Sequence, residues 1–452
     1  MDNSNFVDKT LKCGCSIKVE LEVVYKSIEN IQNQLFEIGV KINQPTDADI
    51  FPKTENEITI ERKYFNTYDF DKETNIDLFN SNRAIVMLSV MPKNANVDYI
   101  SNTMLKFYKK KTNSSSRLFV GKGHTIKGAK SQNEEIILFD FIKESYGHQI
   151  GYTIANNDTI QIIDPNEKQS SSTQVYPALN NALNDLMLFG AIDNLRFFPV
   201  YDSPNEQITH EIGNTIKNYM DIFKFNLIDL KPLNKGSSLI GATVFGDTYK
   251  EPPIFYSQLK KGDNILVHRS FGDLAPLNAY LCSSFMINQG FTFAELKYAK
   301  EKIISLIKMH NFEIGKIINN YCPEFGEKLD RKKHILITKD ISGEGLSIFK
   351  ELAIKANKNI HITEIPLLFK DITFATVENF FITDGTSGIN GAIAIIASDI
   401  VIEQVLIDLR KKGFEPNIIG YMGDEGSNKV YVPIVINKLI NSNEILKNFE
   451  VA

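Results

Sequence analysis

Residues His334 to Ala356 read HILITKDISGEGLSIFKELAIKA, and this stretch indicates the fold class. His334 to Thr338 is a short apolar run typical of a buried strand. Glycines then mark a turn, and Gly343 to Ala356 has the composition of a helix. A strand that runs through a glycine-bearing turn into a helix predicts an α/β or α+β protein.

Similar units occur on both sides of this stretch. The C-terminal part alternates predicted strands with predicted helices, whereas the N-terminal part has more strands. The predicted strands are Ile136–Phe141, Thr159–Ile163, Leu239–Phe245 (ended by Gly246-Asp247), Asp263–Val267, Ala392–Ala397, Asn417–Tyr421 and Val430–Val435. The predicted helices are Ala178–Phe189, Phe293–Ile314 and Val401–Lys412, with a helical stripe in residues 16–40.

The chain of 452 residues is too long for one ordinary core and predicts two or three domains. We divide it into an N-terminal segment with a helix (1–40), a polar and partly flexible insertion (41–130), an N-terminal domain (131–250) and a C-terminal α/β domain (251–452). The YKEPP segment near residues 248–258 marks the boundary between the two domains.

Composition excludes several classes of protein. A net charge of −5 gives no sign of a nucleic-acid partner. Four cysteines are too few for a disulfide framework, so a reducing, cytoplasmic location is expected. No stretch approaches the length of a membrane span, and the first residues do not form a signal peptide.

Three segments have residues suited to phosphate and metal chemistry. Asp340 with Gly343 places a carboxylate beside a glycine turn at a helix start, which suits Mg²⁺ and phosphate. Asn181 and Asp185 share a helix face, because they are four residues apart. Thr386 and Ser387 stand between glycines in a loop of the close-approach type. Each also has an ordinary structural interpretation: a tight connection, a solvated helix face and a strand-entry turn.

Cys13-Gly14-Cys15 places two thiols one glycine apart near the start of the chain. Two close sulfurs suit a soft metal, a redox partner or selenium. The alternative is burial, since free cysteine behaves as a small hydrophobe. The seven histidines do not lie at metal-ligand spacing, so a structural zinc site is not expected.

Taken in order, these segments resemble the selenophosphate synthetase family, within the aminoimidazole ribonucleotide synthase-like group. The resemblance covers residues 11–40 and about 134–435. It implies two domains, a mainly antiparallel N-terminal sheet that pairs with its copy in a homodimer, and ATP bound between the domains. It also implies transfer of a phosphoryl group from ATP to selenide, or to a related nucleophile such as sulfide, with release of AMP and phosphate.

The resemblance assigns roles to individual residues. Cys13, with Cys15, handles selenium, and Lys18 is the nearest lysine to assist. Asp164, Asp185 and Asp340 hold Mg²⁺. The residues implied to bind the nucleotide are Asn181, Gly343, Thr386 and Ser387.

The sequence departs from the family pattern at four places. Ser16 replaces the lysine that follows the second cysteine. Residues 145–148 replace a pair of aspartates, and residues 226–229 replace a Gly-Gly-His turn. The insertion is the fourth departure. Asp140, Glu144 or Lys122 are alternatives for the missing roles.

Three hypotheses follow. The first is an active selenophosphate synthetase-like enzyme. The second is a non-catalytic relative that binds a nucleotide or a partner protein. The third is a selenium or sulfur carrier that uses Cys13 and Cys15 without ATP.

Overall fold

The computed structural model describes residues 29–34, 36–37, 41–43, 117–119, 124–125, 139–142, 150–160, 163–164, 167–203, 205–234, 239–379 and 381–452. Cys13, Cys15 and Lys18 lie outside the described residues, as do most of the insertion and residues 143–149. Residues 29–34 and 36–37 are helical, within the predicted helix of the N-terminal segment.

The strands are β1 (Lys41–Asn43), β2 (Arg117–Phe119), β3 (His124–Thr125), β4 (Phe139–Ile142), β5 (Ile150–Ile160), β6 (Asp193–Asp202), β7 (Asn226–Leu227), β8 (Leu239–Thr248), β9 (Asn264–Val267), β10 (Ile337–Ile341), β11 (Lys358–Ile362), β12 (Ala392–Ala397), β13 (Asn417–Glu425), β14 (Val430–Val432) and β15 (Glu450–Val451). The helices are α1 (Ser172–Met187), α2 (Glu206–Phe223), α3 (Leu274–Leu281), α4 (Ser283–Asn288), α5 (Phe293–Ile307), α6 (Phe312–Asn320), α7 (Ile348–Ala356), α8 (Lys370–Glu378), α9 (Asp399–Lys411) and α10 (Asn443–Leu446).

The N-terminal sheet has the strand order β3-β5-β8-β6-β7, with β4 also paired to β5. The long β5–β8 and β8–β6 ladders are antiparallel, and α1 and α2 pack against these strands. The mainly antiparallel sheet of the prediction is therefore confirmed. Strand β8 runs through Gly246-Asp247 instead of ending there. Position 246 requires glycine, because a Cβ there would lie only 2.6 Å from the Ala191 carbonyl oxygen.

The C-terminal sheet has the order β10-β12-β9-β13-β11-β14-β15. Most neighbours are antiparallel, whereas β14 pairs in parallel with β11 and β15. The predicted mixed class, with helices and two sheets, is confirmed. The strand predicted at His334–Thr338 lies three residues later, because β10 pairs with β12 as far as Ile341 opposite Ala392. Asp340 thus lies inside the strand and not after it.

Two predicted helices were wrong in extent, and α1 begins six residues before the predicted Ala178. The helix at Phe293–Ile314 is two helices, α5 and α6, with a break after Ile307. Amides from elsewhere satisfy the carbonyls at the break: Asn180 donates to Ile307 O at 3.0 Å and Asn390 to Met309 O at 2.9 Å. The helix predicted from Gly343 begins at Ile348, after a 3₁₀ turn at Gly345–Ser347.

The apolar core is continuous between the two sheets. Leu186 of α1, Val244 of β8 and Ile393 of β12 belong to one buried cluster. A second cluster lies on the other face of the C-terminal sheet and includes Ile337, Phe349 and Ile360. This shared core holds α1 between the sheets and fixes the polar residues of α1 in position. No described helix is long and apolar enough to cross a membrane.

Candidate functional site

The second half of α1 presents amide and carboxylate groups to β5. Asn181 Nδ2 donates to Asp158 Oδ2 at 2.5 Å, and Asn156 Nδ2 donates to Asp185 Oδ2 at 2.9 Å. Asp185 is buried, while Asn181 is half-buried. The predicted pair therefore lies at the helix–sheet contact and is oriented by polar groups of the strand.

Asn184 links this helix to the C-terminal sheet. Its amide donates to Asp340 Oδ1 at 3.1 Å, and its own oxygen accepts a hydrogen bond from Asn311. A second bond, from Thr338 Oγ1 to Leu188 O at 2.5 Å, joins β10 to the residue that follows α1. Asp340 is also buried, and its carboxylate is held by Asn184 of α1, the residue next to Asp185.

Hydrogen bonds join the turn after β10 to the loop at residues 384–388. Ser387 Oγ donates to Gly343 O at 2.9 Å, and the Leu346 N–H donates to Thr386 Oγ1 at 3.0 Å. Gly345 has φ +52°, and a Cβ there would lie 2.2 Å from Thr386 Oγ1. We name this contact of residues 342–346 with residues 384–388 the junction. It brings Gly343 next to Thr386 and Ser387, which lie more than forty positions later in the sequence.

The hydrogen bonds of the junction engage N–H groups of the glycine turn, which the sequence predicts to bind phosphate. The Gly345 N–H donates to Ser342 O at 3.1 Å, and the Leu346 N–H donates to Thr386 Oγ1. Both hydroxyls of the loop also bond to protein atoms. These two N–H groups and two hydroxyls therefore stabilise the junction in this conformation, and only a rearrangement would turn them toward a phosphate.

Asp384 is the buried acid of the junction. Its Oδ1 accepts hydrogen bonds from the Thr386 N–H at 2.7 Å and from Thr386 Oγ1 at 2.6 Å. Burial raises the pKa of Asp384 to about 6, while the two bonds from Thr386 act in the opposite direction. Burial therefore outweighs the hydrogen bonds, and this carboxyl changes its charge near neutral pH.

A buried ion pair supports the same loop, and sequence reasoning did not single it out. Arg269 contacts Asp273 with both terminal nitrogens, at 2.8 and 2.9 Å, and also donates to the Asn390 carbonyl. A Cβ on Gly388 would lie 2.8 Å from Asp273 Oδ2, so the loop lies directly on this pair. Residues 269–273 are not helical, so the spacing of four between Arg269 and Asp273 is no sequence signal for this pair.

Asp164 does not lie with the other two predicted metal ligands. Its Oδ2 is 2.6 Å from Lys300 Nζ, and its carbonyl accepts a bond from Gln174 in the first turns of α1. Asp185 is eleven residues beyond Gln174, a distance of roughly 16 Å along a helix. One ion cannot bind both carboxylates, because the length of α1 separates them.

The donor chemistry at Asp185 and Asp340 fits Mg²⁺, a hard cation that prefers oxygen ligands. Within the described ranges, no three His, Cys, Asp or Glu side chains are grouped closely enough to hold a metal. Magnesium in phosphate-transfer sites typically takes only one or two carboxylates, together with water and substrate phosphates. Asp185 and Asp340 therefore each supply a carboxylate of the kind that Mg²⁺ takes, without forming a complete protein cage.

The two described cysteines, Cys282 and Cys322, are buried. Burial raises the pKa of the Cys322 thiol to about 12 and raises that of Cys282 as well. Neither thiol is a reactive thiolate at neutral pH.

The structure also describes residues 226–229, where the family resemblance implies a Gly-Gly-His turn. Asn226–Leu227 forms β7, which pairs in parallel with β6. These residues extend the edge of the N-terminal sheet.

No family model matches the sequence, and no curated protein matches it. Thiamine-monophosphate kinase from Stenotrophomonas maltophilia K279a is 16% identical at a TM-score of 0.45, covering 62% of this chain and 84% of that one. Thiamine monophosphate kinase from Aquifex aeolicus is 14% identical at 0.41, covering 64% and 89%. Hydrogenase maturation protein HypE in complex with ATP is 16% identical at 0.41, covering 56% and 74%. At these values the similarity transfers no residue role to this chain.

Proposed function

We propose that the chain is an ATP-dependent phosphotransferase of the selenophosphate synthetase type, with an aminoimidazole ribonucleotide synthase-like fold. It transfers one phosphoryl group from ATP to selenide, or to a related small nucleophile such as sulfide, and a second to water, so that AMP and inorganic phosphate are released with the phosphorylated nucleophile. The observation that carries this proposal is the bond from Asn184 to Asp340, because it joins the polar face of α1 to the strand that leads into the junction. Segments with the residue types for phosphoryl transfer thus meet between the two sheets.

Roles follow from the geometry and from the sequence resemblance together. Asp185 and Asp340 hold Mg²⁺, whose charge offsets that of the phosphates when ATP is bound. Asn181 contributes to nucleotide binding from the same helix face. Asp164 has a structural role, because it forms an ion pair with Lys300. Cys13 and Cys15 receive the nucleophile with Lys18 nearby, and a reducing cytoplasm keeps both as thiols.

The test is formation of AMP from ATP and Mg²⁺ in the presence of selenide. Asp340→Asn should lower the rate by about 10²-fold, because one charge that holds the metal is lost. Cys13→Ser should reduce the selenide-dependent rate to background. Asp371→Asn, an exposed aspartate on α8, is the control and should retain full activity. Background AMP formation with selenide, sulfide and thiosulfate alike would contradict the proposal.

The hydrogen bonds within the junction favour a second candidate, a relative that binds a nucleotide or a partner protein without catalysis. The N–H groups of Gly345 and Leu346 bond to protein atoms, which suits a fixed structure. A thermal-shift titration with ATP and Mg²⁺ separates the cases, since any ligand of the native state raises the melting temperature. Stabilisation that Asp340→Asn abolishes, without AMP formation by the unaltered chain, would favour this candidate.

A further inference from the structure

A cavity of about 740 Å³ lies at one end of the N-terminal sheet, apart from the junction. Its volume falls in the range of about 300–1,000 Å³ that small-molecule sites occupy. Strands β5, β6 and β8 contribute polar residues, and the ends of α2 and α6 contribute aromatic ones. The lining residues that matter here are Thr153, Arg196, Phe223, Lys224, Phe225 and Asp247.

The polar wall of the cavity holds a fixed guanidinium. Asp247 Oδ1 accepts bonds from Thr153 Oγ1 at 2.9 Å and from Arg196 Nη2 at 2.8 Å, and its Oδ2 accepts from Asn194 at 2.8 Å. Arg196 Nε donates to the Asn194 carbonyl at 3.1 Å. Asp247 thus has both oxygens engaged and orients Arg196, whose side chain is 36% exposed.

The charge balance of the lining favours an anion. Arg196 and Lys224 carry two positive charges and Asp247 carries one negative charge, which leaves one positive charge in excess. Lys224 is exposed at the rim. The guanidinium is planar, so it suits a carboxylate or a phosphate.

The opposite wall is aromatic. The ring of Phe225 lies 6.0 Å from that of Phe223 and 6.2 Å from that of Phe312, measured between centroids. All three rings are half-buried. These distances show that the three rings pack against one another, and the parts of them that line the cavity make this wall apolar.

The backbone at this cavity takes conformations that L-residues rarely adopt. Lys224 ends α2 with φ +57°, at a position where glycine or asparagine is usual. Asn194 has φ +46° where the register between β6 and β8 shifts. Such conformations and β-bulges concentrate at functional sites.

We propose that this cavity binds a small aromatic anion. The ring of the ligand lies against Phe223, Phe225 and Phe312, and its carboxylate or phosphate lies against Arg196 and Lys224. Both anion types share the chemistry that the two cations recognise.

Isothermal titration calorimetry of the full chain with indole-3-acetate and with phenyl phosphate tests the proposal and distinguishes the two anions. At least one should bind, the neutral indole-3-acetamide should bind more weakly than indole-3-acetate, and acetate alone should show no binding. Lys224→Gly should weaken binding by about fivefold, since one ion pair at a solvent-exposed rim is lost.

Lys224→Gly also separates loss of binding from loss of fold. Glycine relieves the left-handed backbone, so the melting temperature should stay the same or rise. Lys217→Ala, an exposed lysine on α2 away from the cavity, is the control and should bind as the unaltered chain does. The proposal is overturned if neither anion binds at about 10 mM, where a millimolar site would be filled. Equal binding by indole-3-acetamide, or by the Lys224→Gly variant, would also overturn it.

Discussion

At the scale of single residues, Asp384 shows how burial sets the charge of the junction. Two hydrogen bonds from Thr386 favour its ionised form, yet burial dominates and raises its pKa to about 6. The unfolded carboxyl has its ordinary pKa of about 3.9. The folded state therefore binds the proton more tightly than the unfolded state does.

This difference predicts a specific pH dependence of stability. A raised carboxyl pKa stabilises the folded state below about pH 4, and that contribution is lost as the pH rises through about 6. Between about pH 5 and about pH 8, the chain should lose about 1 kcal/mol of unfolding free energy relative to Asp384→Asn. Urea unfolding at both pH values measures this.

A second variant checks the cause. Thr386→Val removes the hydroxyl donor that lowers the pKa, so the pH-dependent loss should move to higher pH. Identical pH profiles for Asp384→Asn and the unaltered chain would show that Asp384 is not the titrating group.

At the scale of elements, the connection from β10 to α7 is decided by contact with another part of the chain. A helix from Gly343 was predicted, but the chain forms a 3₁₀ turn first, because the Leu346 N–H bonds to Thr386 and Ser387 bonds to Gly343 O. The glycine at 345 permits both the left-handed backbone and the close approach of the loop. The element boundary is thus set by a segment forty positions away.

Gly345→Ala should therefore destabilise the protein by about 2–4 kcal/mol, from backbone strain and a steric clash together. Gly413→Ala is a matched control, since Gly413 also has a positive φ (+82°) but has nothing within 4 Å of the added carbon. It should cost only about 1 kcal/mol. Equal losses for the two variants in chemical denaturation would mean that the junction adds no packing constraint.

At the scale of the whole molecule, α1 and the shared core couple the two sheets, and the N-terminal sheet retains apolar exposure on its outer face. Phe198 is 36% exposed and packs edge-on against Phe245, with ring centroids 5.6 Å apart. Aromatic residues on a sheet face suit contact with another subunit. We propose that this face pairs with its copy in a homodimer, as the sequence resemblance implies.

Light scattering tests the dimer. The chain should have twice its mass of 51.2 kDa, and Phe198→Glu should give the monomer, because it places a charge in an apolar contact. Phe293→Glu, at an exposed phenylalanine of α5, should leave the dimer intact. A monomeric mass for the unaltered chain at all concentrations would exclude the proposed contact.

Several features of the fold could be predicted from local patterns. The strand Ala392–Ala397 matches the structure at both ends, since a continuous apolar run bounded by polar residues has few alternatives. The helix α9 was predicted within two residues at each end, whereas the predicted Ala178–Phe189 misses the first six residues of α1. By contrast, β11 and α8 were not predicted, because short amphipathic segments lack a strong period.

The candidate site was predictable in residue type but not in arrangement. Asp185, Asp340 and Thr386 stand out as polar groups beside glycines or on one helix face. The pairing of Asp164 with Lys300 and of Arg269 with Asp273 was missed, because ion pairs depend on which elements pack together. Nothing in the sequence distinguishes a ligand-binding aspartate from one held by a lysine.

The sequence by itself determined the class of the fold and the residue types available for phosphate and metal chemistry, whereas the mainly antiparallel N-terminal sheet was implied by the family resemblance. These depend on local periodicity and composition, which neighbouring residues carry. Only the tertiary structure decided that Asn184 bonds to Asp340, that the 384–388 loop fastens the turn after β10, and that Asp164 lies elsewhere. Such contacts join residues that are far apart in the chain, and the burial that results sets the charge of the carboxyl groups. Neither the contacts nor the burial can be read from a local pattern.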